Sequence, residues 1–244
     1  MRTPRPGPYT AHLYCAEPPK ITDPALLAEY AALMTPEERA AEARFHFPKH
    51  RHLYRVTRAL ARTALGAYLG VDPASLRFET GPWGRPEIAG LGDTGLSWNL
   101  AHTDGLVVLL VAEQCTAGVD VEDIVHRKAP IDVADHQFAP DEVASLRALP
   151  PESQQRRFFE YWTLKESYIK ARGMGLSIPL KDFAFDPTPE TGPVIAFHGI
   201  DDDSADWQFT FREPTDAHLV AAAFRRGTGP ERSIEVRKII PLSS

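Results

Sequence analysis

Two short strings carry the side chains with the most chemistry in them. Gly118-Val119-Asp120-Val121-Glu122 sets two carboxylates two residues apart. Trp162-Thr163-Leu164-Lys165-Glu166-Ser167-Tyr168-Ile169-Lys170 sets a third carboxylate between two lysines. In a strand, alternate side chains share a face, so Val119 and Val121 turn to the core while Asp120 and Glu122 turn to a cleft or to solvent. Such a pair offers hard oxygen ligands to Mg²⁺, which keeps further sites for water and phosphate. A half-exposed strand with a polar outer face would show the same spacing. In a helix, Glu166 and Lys170 lie four apart on one face, with Lys165 adjacent. Phe158, Trp162 and Ile169 would bury the opposite side. A surface ion pair on an amphipathic helix is the plain alternative. Taken together, three carboxylates and two ammonium groups suit a metal-bridged pyrophosphate. The metal neutralises phosphate charge, lysine stabilises the leaving group, and a glutamate beside the metal accepts a proton from an attacking hydroxyl.

The elements that must position these groups can be read along the chain. His12–Cys15 suits a first strand. Asp23-Pro24 and Thr35-Pro36 are helix starts, with a capping side chain and proline in the first turn. A third helix covers Lys49–Leu69, with Leu53, Val56, Leu60, Ala64 and Ala67 on one stripe and Gly70 as its stop. Leu76–Glu79 reads as a strand. Gly81-Pro82-Trp83-Gly84-Arg85-Pro86-Glu87-Ile88 reads as a turn-rich loop with a guanidinium at its centre. Leu96–Leu100 and Leu106–Val111 read as strands joined by a His102-Thr103-Asp104-Gly105 hairpin turn.

Ala117–Ile124 is the carboxylate strand. Helical pieces follow within Pro130–Leu149, and the lysine helix runs over Glu152–Arg172 to Gly173. Strands are expected at 182–185, 194–197, 207–211, 218–224 and weakly at 234–240, with Asp201-Asp202-Asp203 an acidic loop. Strand, helices, strands thus occurs twice. The expectation is an α+β fold, a pseudo-two-fold duplication of two similar halves, 1–117 and 118–244, with the site at their seam. Two such halves in one chain make a monomer sufficient.

Composition excludes several classes. The 244 residues carry a net charge of −6, with 43% hydrophobic and 25% charged side chains. This is ordinary for a soluble globular protein and argues against general nucleic-acid binding. Seven basic residues between Arg39 and Arg62 face one acid, Glu42. That strip suits an anionic ligand or acidic partner, or is a solvated helix face. Cys15 and Cys115 lack metal-ligand spacing and fit free thiols in a reducing cytoplasm. Neither a signal-peptide core nor a membrane-length apolar run is present, so a cytoplasmic protein is expected.

The order and spacing of three blocks resemble the 4′-phosphopantetheinyl transferases, in the larger, monomeric, surfactin-type class. The blocks are Gly84-Arg85-Pro86; Asn99-Leu100-Ala101-His102 with Gly118–Glu122; and Phe159–Lys170 followed by Gly173-Met174-Gly175-Leu176. The resemblance covers about residues 35–185. It implies transfer of 4′-phosphopantetheine from coenzyme A to a serine of an apo acyl or peptidyl carrier protein, releasing 3′,5′-ADP. It implies Mg²⁺ on Asp120, Glu122 and Glu166, with Glu166 as base. Lys165 and Lys170 would hold the pyrophosphate, and His102 the 3′-phosphate. Gly84, Arg85 and Pro86 would cradle the adenine end, and the Asn99-Leu100-Ala101 backbone would line the nucleotide.

Residues 1–117 would then take the adenine and 3′-phosphate side, and 118–244 the metal and pyrophosphate side. Two departures stand out: Ala101 replaces a serine common in the family, and Ala41 a basic residue. The basic strip, or Ile124–Phe138, would receive the acidic carrier. A Mg²⁺-dependent phosphohydrolase would not call for the Gly-Arg-Pro loop, and a coenzyme A-binding protein without activity would not need every carboxylate and lysine.

Overall fold

A proline and a glycine bracket each of the two long helices. The structure, a computed structural model, describes residues 5–81, 83–90 and 94–243, the side chain of Leu176 excepted. Pro82 of the turn-rich loop and the first four residues lie outside that part. Helix α3, Pro48–Leu69, and helix α6, Pro151–Arg172, both begin on proline, whose missing N–H costs nothing in a first turn. Both end against a left-handed glycine, Gly70 at φ 69° and Gly173 at φ 66°, which costs a residue without Cβ little. Shorter helices precede each: α1 Pro24–Leu33 and α2 Pro36–Ala43, then α4 Ile131–Gln137 and α5 Pro140–Ala148. Thr35 caps α2 through a capping box with Glu38.

The strands pair alike in both halves. In the first, β1 Thr10–Ala16 lies antiparallel to β5 Leu106–Glu113, which lies antiparallel to β4 Leu96–Thr103. In the second, β6 Thr116–Asp123 pairs with β10 His218–Arg225, and β10 with β9 Trp207–Thr215, all antiparallel. Each half also has a small hairpin, β2 Phe78–Thr80 with β3 Pro86–Ile88, and β7 Phe183–Asp186 with β8 Val194–Phe197. The α+β class and the repeated order of elements are therefore present. Strand β11, Ser233–Lys238, leaves the second half and runs parallel to β1.

Strand residues from both sheets form one apolar cluster, Leu13, Leu110, Val119, Val121 and Phe224 among them. A second cluster joins the first sheet to α3, and a third joins β10 to α6 and the β7–β8 hairpin. Burying Val119 and Val121 between sheets leaves Asp120 and Glu122 on the α6 side.

Three details differ from the sequence reading. The Gly-Arg-Pro segment is not all loop, because Pro86–Ile88 pairs with β2. The hairpin turn is only Asp104-Gly105, since His102 and Thr103 continue the ladder opposite Val107 and Leu106. The acidic loop hides an anchor. Asp202 accepts hydrogen bonds from Tyr168 Oη (3.0 Å) and Trp207 Nε1 (3.1 Å) and pairs with Arg172, tying the end of α6 to the start of β9.

Candidate functional site

Gly118 explains why the carboxylate strand and the lysine helix meet. A Cβ there would lie 2.2 Å from the Ser167 carbonyl oxygen and 2.4 Å from the Ala171 nitrogen, so only glycine lets α6 press this closely onto β6. Two residues on, Asp120 faces the same helix and meets Lys170, Nζ to Oδ1 at 2.6 Å. Its other oxygen, Oδ2, is buried without a hydrogen-bond partner. Glu122 is buried beside it and pairs with Arg127. Glu166, half-buried, lies one helical turn before Lys170.

Burial raises the pKa of Asp120, against the pull of Lys170. Burial and then the charge of Asp120 raise both Glu122 and Glu166. Three acidic groups that repel one another in a poorly solvated cleft, one with an orphaned oxygen, fit a hard divalent cation. Among the described residues, no three acidic, histidine or cysteine side chains already converge as a metal cage. Asp120 and Glu122 instead hold the chain's own cations, Lys170 and Arg127.

A cavity of about 240 Å³ runs from Lys170 across the seam. Trp83, Gly84, Arg85, Pro86, Asn99 and Leu100 line it from the first half, and Glu166, Ile169, Lys170, Gly173 and Gly175 from the second. Arg85 closes it, its Nη2 donating to the Trp98 carbonyl at 3.1 Å and its Nη1 reaching the Ala171 carbonyl at 3.5 Å. Burial lowers the pKa of Arg85, though not its charge at neutral pH. Strands β4 and β6 join here without a ladder. The Asn99 side chain accepts from Val119 N at 2.9 Å, and Ser97 Oγ from Ala117 N at 3.1 Å. Asn99 thus serves the seam through its side chain, not only the cavity through its backbone. Ala101 is buried in the inter-sheet cluster. His102 does not line the cavity; its ring keeps an exposed edge, but partial loss of solvent, followed by the charge of Lys170, lowers its pKa against the pull of Asp120.

The structure brings together Gly84, Arg85, Pro86, Asn99, Leu100, Glu166 and Lys170 around one space. It does not bring Lys165 there. That side chain is fully buried on the opposite face of α6, where Nζ meets Glu142 Oε2 at 2.7 Å and donates to the carbonyls of Leu180 (2.7 Å) and Phe183 (2.6 Å). The expected pyrophosphate contact is therefore corrected: adjacent helix positions lie about 100° apart, and Lys165 faces the helical core. Burial presses its pKa down to about 8, against the pull of Glu142, so it stays an ammonium at neutral pH.

The basic strip is largely spoken for as well. Arg55 clamps Glu42 (2.9 and 2.6 Å), and fully buried Arg62 clamps Glu38 (3.1 and 2.8 Å). Arg58 stacks over Tyr54, and Lys49 pairs with Asp104 at 2.9 Å. Five residues of the site carry no site role in the sequence reading: Trp83, Ile169, Gly173, Gly175 and Arg127. Trp83 lies within a recognised loop, Ile169 reads as part of the core stripe, and the two glycines read as helix stop and motif. Arg127 meets Glu122 only because the chain folds back after β6, which no motif announces.

The match to known proteins centres on this region. The model of the 4′-phosphopantetheinyl transferase superfamily matches residues 116–223. The 4′-phosphopantetheinyl transferase HetI of Nostoc sp. is 36% identical over 152 residues, 62% of this chain and 64% of its own length. The matched region thus spans just under two thirds of that relative. Sfp of Bacillus subtilis, also named a 4′-phosphopantetheinyl transferase, is 28% identical over 64% of this chain and 67% of its own. The phosphopantetheinyl transferase of Thraustochytrium sp. is 32% identical over 212 residues, 82% of this chain and 73% of its own. That breadth of match, with the carboxylate strand and lysine helix inside it, makes the chain a member of the 4′-phosphopantetheinyl transferase family.

Proposed function

We propose that the protein transfers 4′-phosphopantetheine from coenzyme A to a serine hydroxyl of an apo acyl or peptidyl carrier protein. The observation that carries this is the cavity at the seam, where Arg85, Lys170 and Glu166 face one space beside Asp120. Coenzyme A has a pyrophosphate and a separate 3′-phosphate, so its site needs cationic groups in two places.

The loop of Gly84, Arg85 and Pro86 and the backbone of β4 bind the adenine end. His102 contacts the 3′-phosphate. In this reading residues 1–117 supply the nucleotide side, and 118–244 the pyrophosphate side. Asp120, Glu122 and Glu166 would hold Mg²⁺, which when bound neutralises pyrophosphate charge. Lys170 is poised to turn from Asp120 to the pyrophosphate. Glu166, half-buried at the cavity beside Lys170, takes the serine proton. The serine oxygen forms a bond to the phosphorus bearing the pantetheine arm. The bond from that phosphorus to the bridging oxygen breaks, and 3′,5′-ADP leaves with the electron pair. Lys170 lowers the cost of the charge that builds there.

The carrier docks beside the cleft, with 124–138 as the receiving segment, where Val125 and Val133 are exposed. No helix among the described residues is long and apolar enough to cross a membrane. We read the protein as a cytoplasmic monomer. Incubation with coenzyme A, Mg²⁺ and a panel of apo carriers, followed by intact mass, tests the reading. Phosphopantetheine added to a carrier, lost on Asp120→Ala and on Glu166→Ala, is the expected result. No addition to any carrier would sink it.

A further inference from the structure

Both inner carboxylates of the candidate metal site already hold a cation of this chain. Lys170 holds Asp120, and it also lines the donor cavity. Arg127 holds Glu122 and is not among the cavity's lining residues. Its position is set by the turn after β6. Asp123 Oδ1 accepts from the amides of Val125 (3.0 Å) and His126 (2.8 Å), which folds the chain back so that a residue five positions on returns to Glu122. The guanidinium also lies over the Phe159 ring of α6, 5.9 Å from its centroid.

The two partners differ in their freedom. Arg127 is 50% exposed and can swing into water, whereas Glu122 is 8% exposed and cannot. Whatever leaves Glu122 must be replaced by another cation, since an unpaired buried carboxylate is costly.

We infer that Arg127 is a built-in competitor for the divalent cation: it occupies Glu122 in the metal-free protein and is displaced when the metal loads. The inference rests on the metal site proposed above. Its consequence is an order of binding. Asp120, Glu122 and Glu166 carry three negative charges against two positive ones on Lys170 and Arg127. A metal arriving alone must unseat Arg127 from Glu122 and leaves the guanidinium without an anionic partner. When the metal arrives with a pyrophosphate, the phosphate oxygens give the released guanidinium a charge-assisted partner. Arg127 thereby couples metal loading to donor loading.

Mn²⁺ binding to the whole protein without coenzyme A tests this, followed by the paramagnetic resonance of free Mn²⁺ and by calorimetry. Arg127→Gln should bind Mn²⁺ alone ~5–10-fold more tightly than the native chain, the range between a surface pair and a partly buried one. Arg127→Lys should fall between them. Coenzyme A should strengthen Mn²⁺ binding less in Arg127→Gln than in the native protein. Urea midpoints in EDTA identify folded variants. Equal or weaker Mn²⁺ affinity in Arg127→Gln, with binding still lost in Asp120→Ala, overturns the competitor role and leaves the metal site standing. No Mn²⁺ binding by any chain, with or without coenzyme A, overturns both.

Discussion

Exchanging the two lysines of α6 for methionine should give opposite phenotypes. Lys165→Met removes an ammonium that is fully buried and has three acceptors, Glu142 Oε2 and the carbonyls of Leu180 and Phe183. Glu142, 1% exposed, keeps the amides of Ala139 and Phe185 (both 2.9 Å) but loses its counter-charge. Breaking a buried pair from one side costs about 3–5 kcal/mol. Each carbonyl left without a donor adds ~1–3 kcal/mol. Against a total of roughly 5–15 kcal/mol for a domain, Lys165→Met stands near the limit of folding. Lys165→Met with Glu142→Leu should recover much of the loss, because the uncompensated charge goes too.

Lys170→Met differs. Its ammonium is 28% exposed and meets one carboxylate, so the urea midpoint should fall less than in Lys165→Met, by the cost of leaving Asp120 unpaired, while transfer collapses. Urea unfolding in EDTA and intact-mass transfer at saturating coenzyme A separate the cases. If Lys165→Met keeps the native midpoint and loses transfer as Lys170→Met does, then its ammonium works in the cleft and the packing argument is wrong.

Gly118→Ala should cost more than the ~1–3 kcal/mol of ordinary overpacking, since a Cβ 2.2 Å from a backbone oxygen forces α6 off β6; thermal unfolding reads it. Arg62→Met, which leaves Glu38 only Arg58 at 3.5 Å and the Thr35 amide, should lower stability by up to about 3–5 kcal/mol while the KM for coenzyme A in surviving protein stays native. Asp202 supplies acid-sensitive stability. Its burial alone would raise its pKa, but donors from Trp207 and Tyr168 and the charge of Arg172 outweigh that and lower it. The unfolded chain then takes up the proton first as pH falls below about 4, so this contribution is full above that value and lost on further acidification. Asp202→Asn should therefore be less stable than the native protein at pH 7 and show a flatter loss between pH 4 and 2, measured by urea midpoints.

Elements whose ends are marked by local chemistry were legible in the sequence. Asp23-Pro24 and Thr35-Pro36 mark the starts of α1 and α2, and Gly70 and Gly173 the stops of the two long helices, because capping and left-handed turns depend on the residues themselves. The alternation in Gly118–Glu122 correctly placed two valines in the core and two carboxylates opposite. Side chains whose role depends on a distant partner were not legible. Lys165 and Lys170 are the same residue type, both near Glu166. Only Glu142, arriving from α5, makes one a core ion pair, while Asp120, arriving from β6, makes the other a cleft cation. The seven basic residues of 39–62 look like an anion site until Glu38 and Glu42 of α2 are laid along α3. A motif can name the residues a reaction uses and still misassign one of them, because helical phase relative to a third element decides which lysine the substrate can reach. Gly118 sets that phase here: it brings α6 within backbone contact of β6, turning Lys170 toward Asp120 and Lys165 toward the helical core. Any substitution at Gly118 that the fold tolerates should therefore weaken the Lys170–Asp120 pair before it touches Lys165–Glu142.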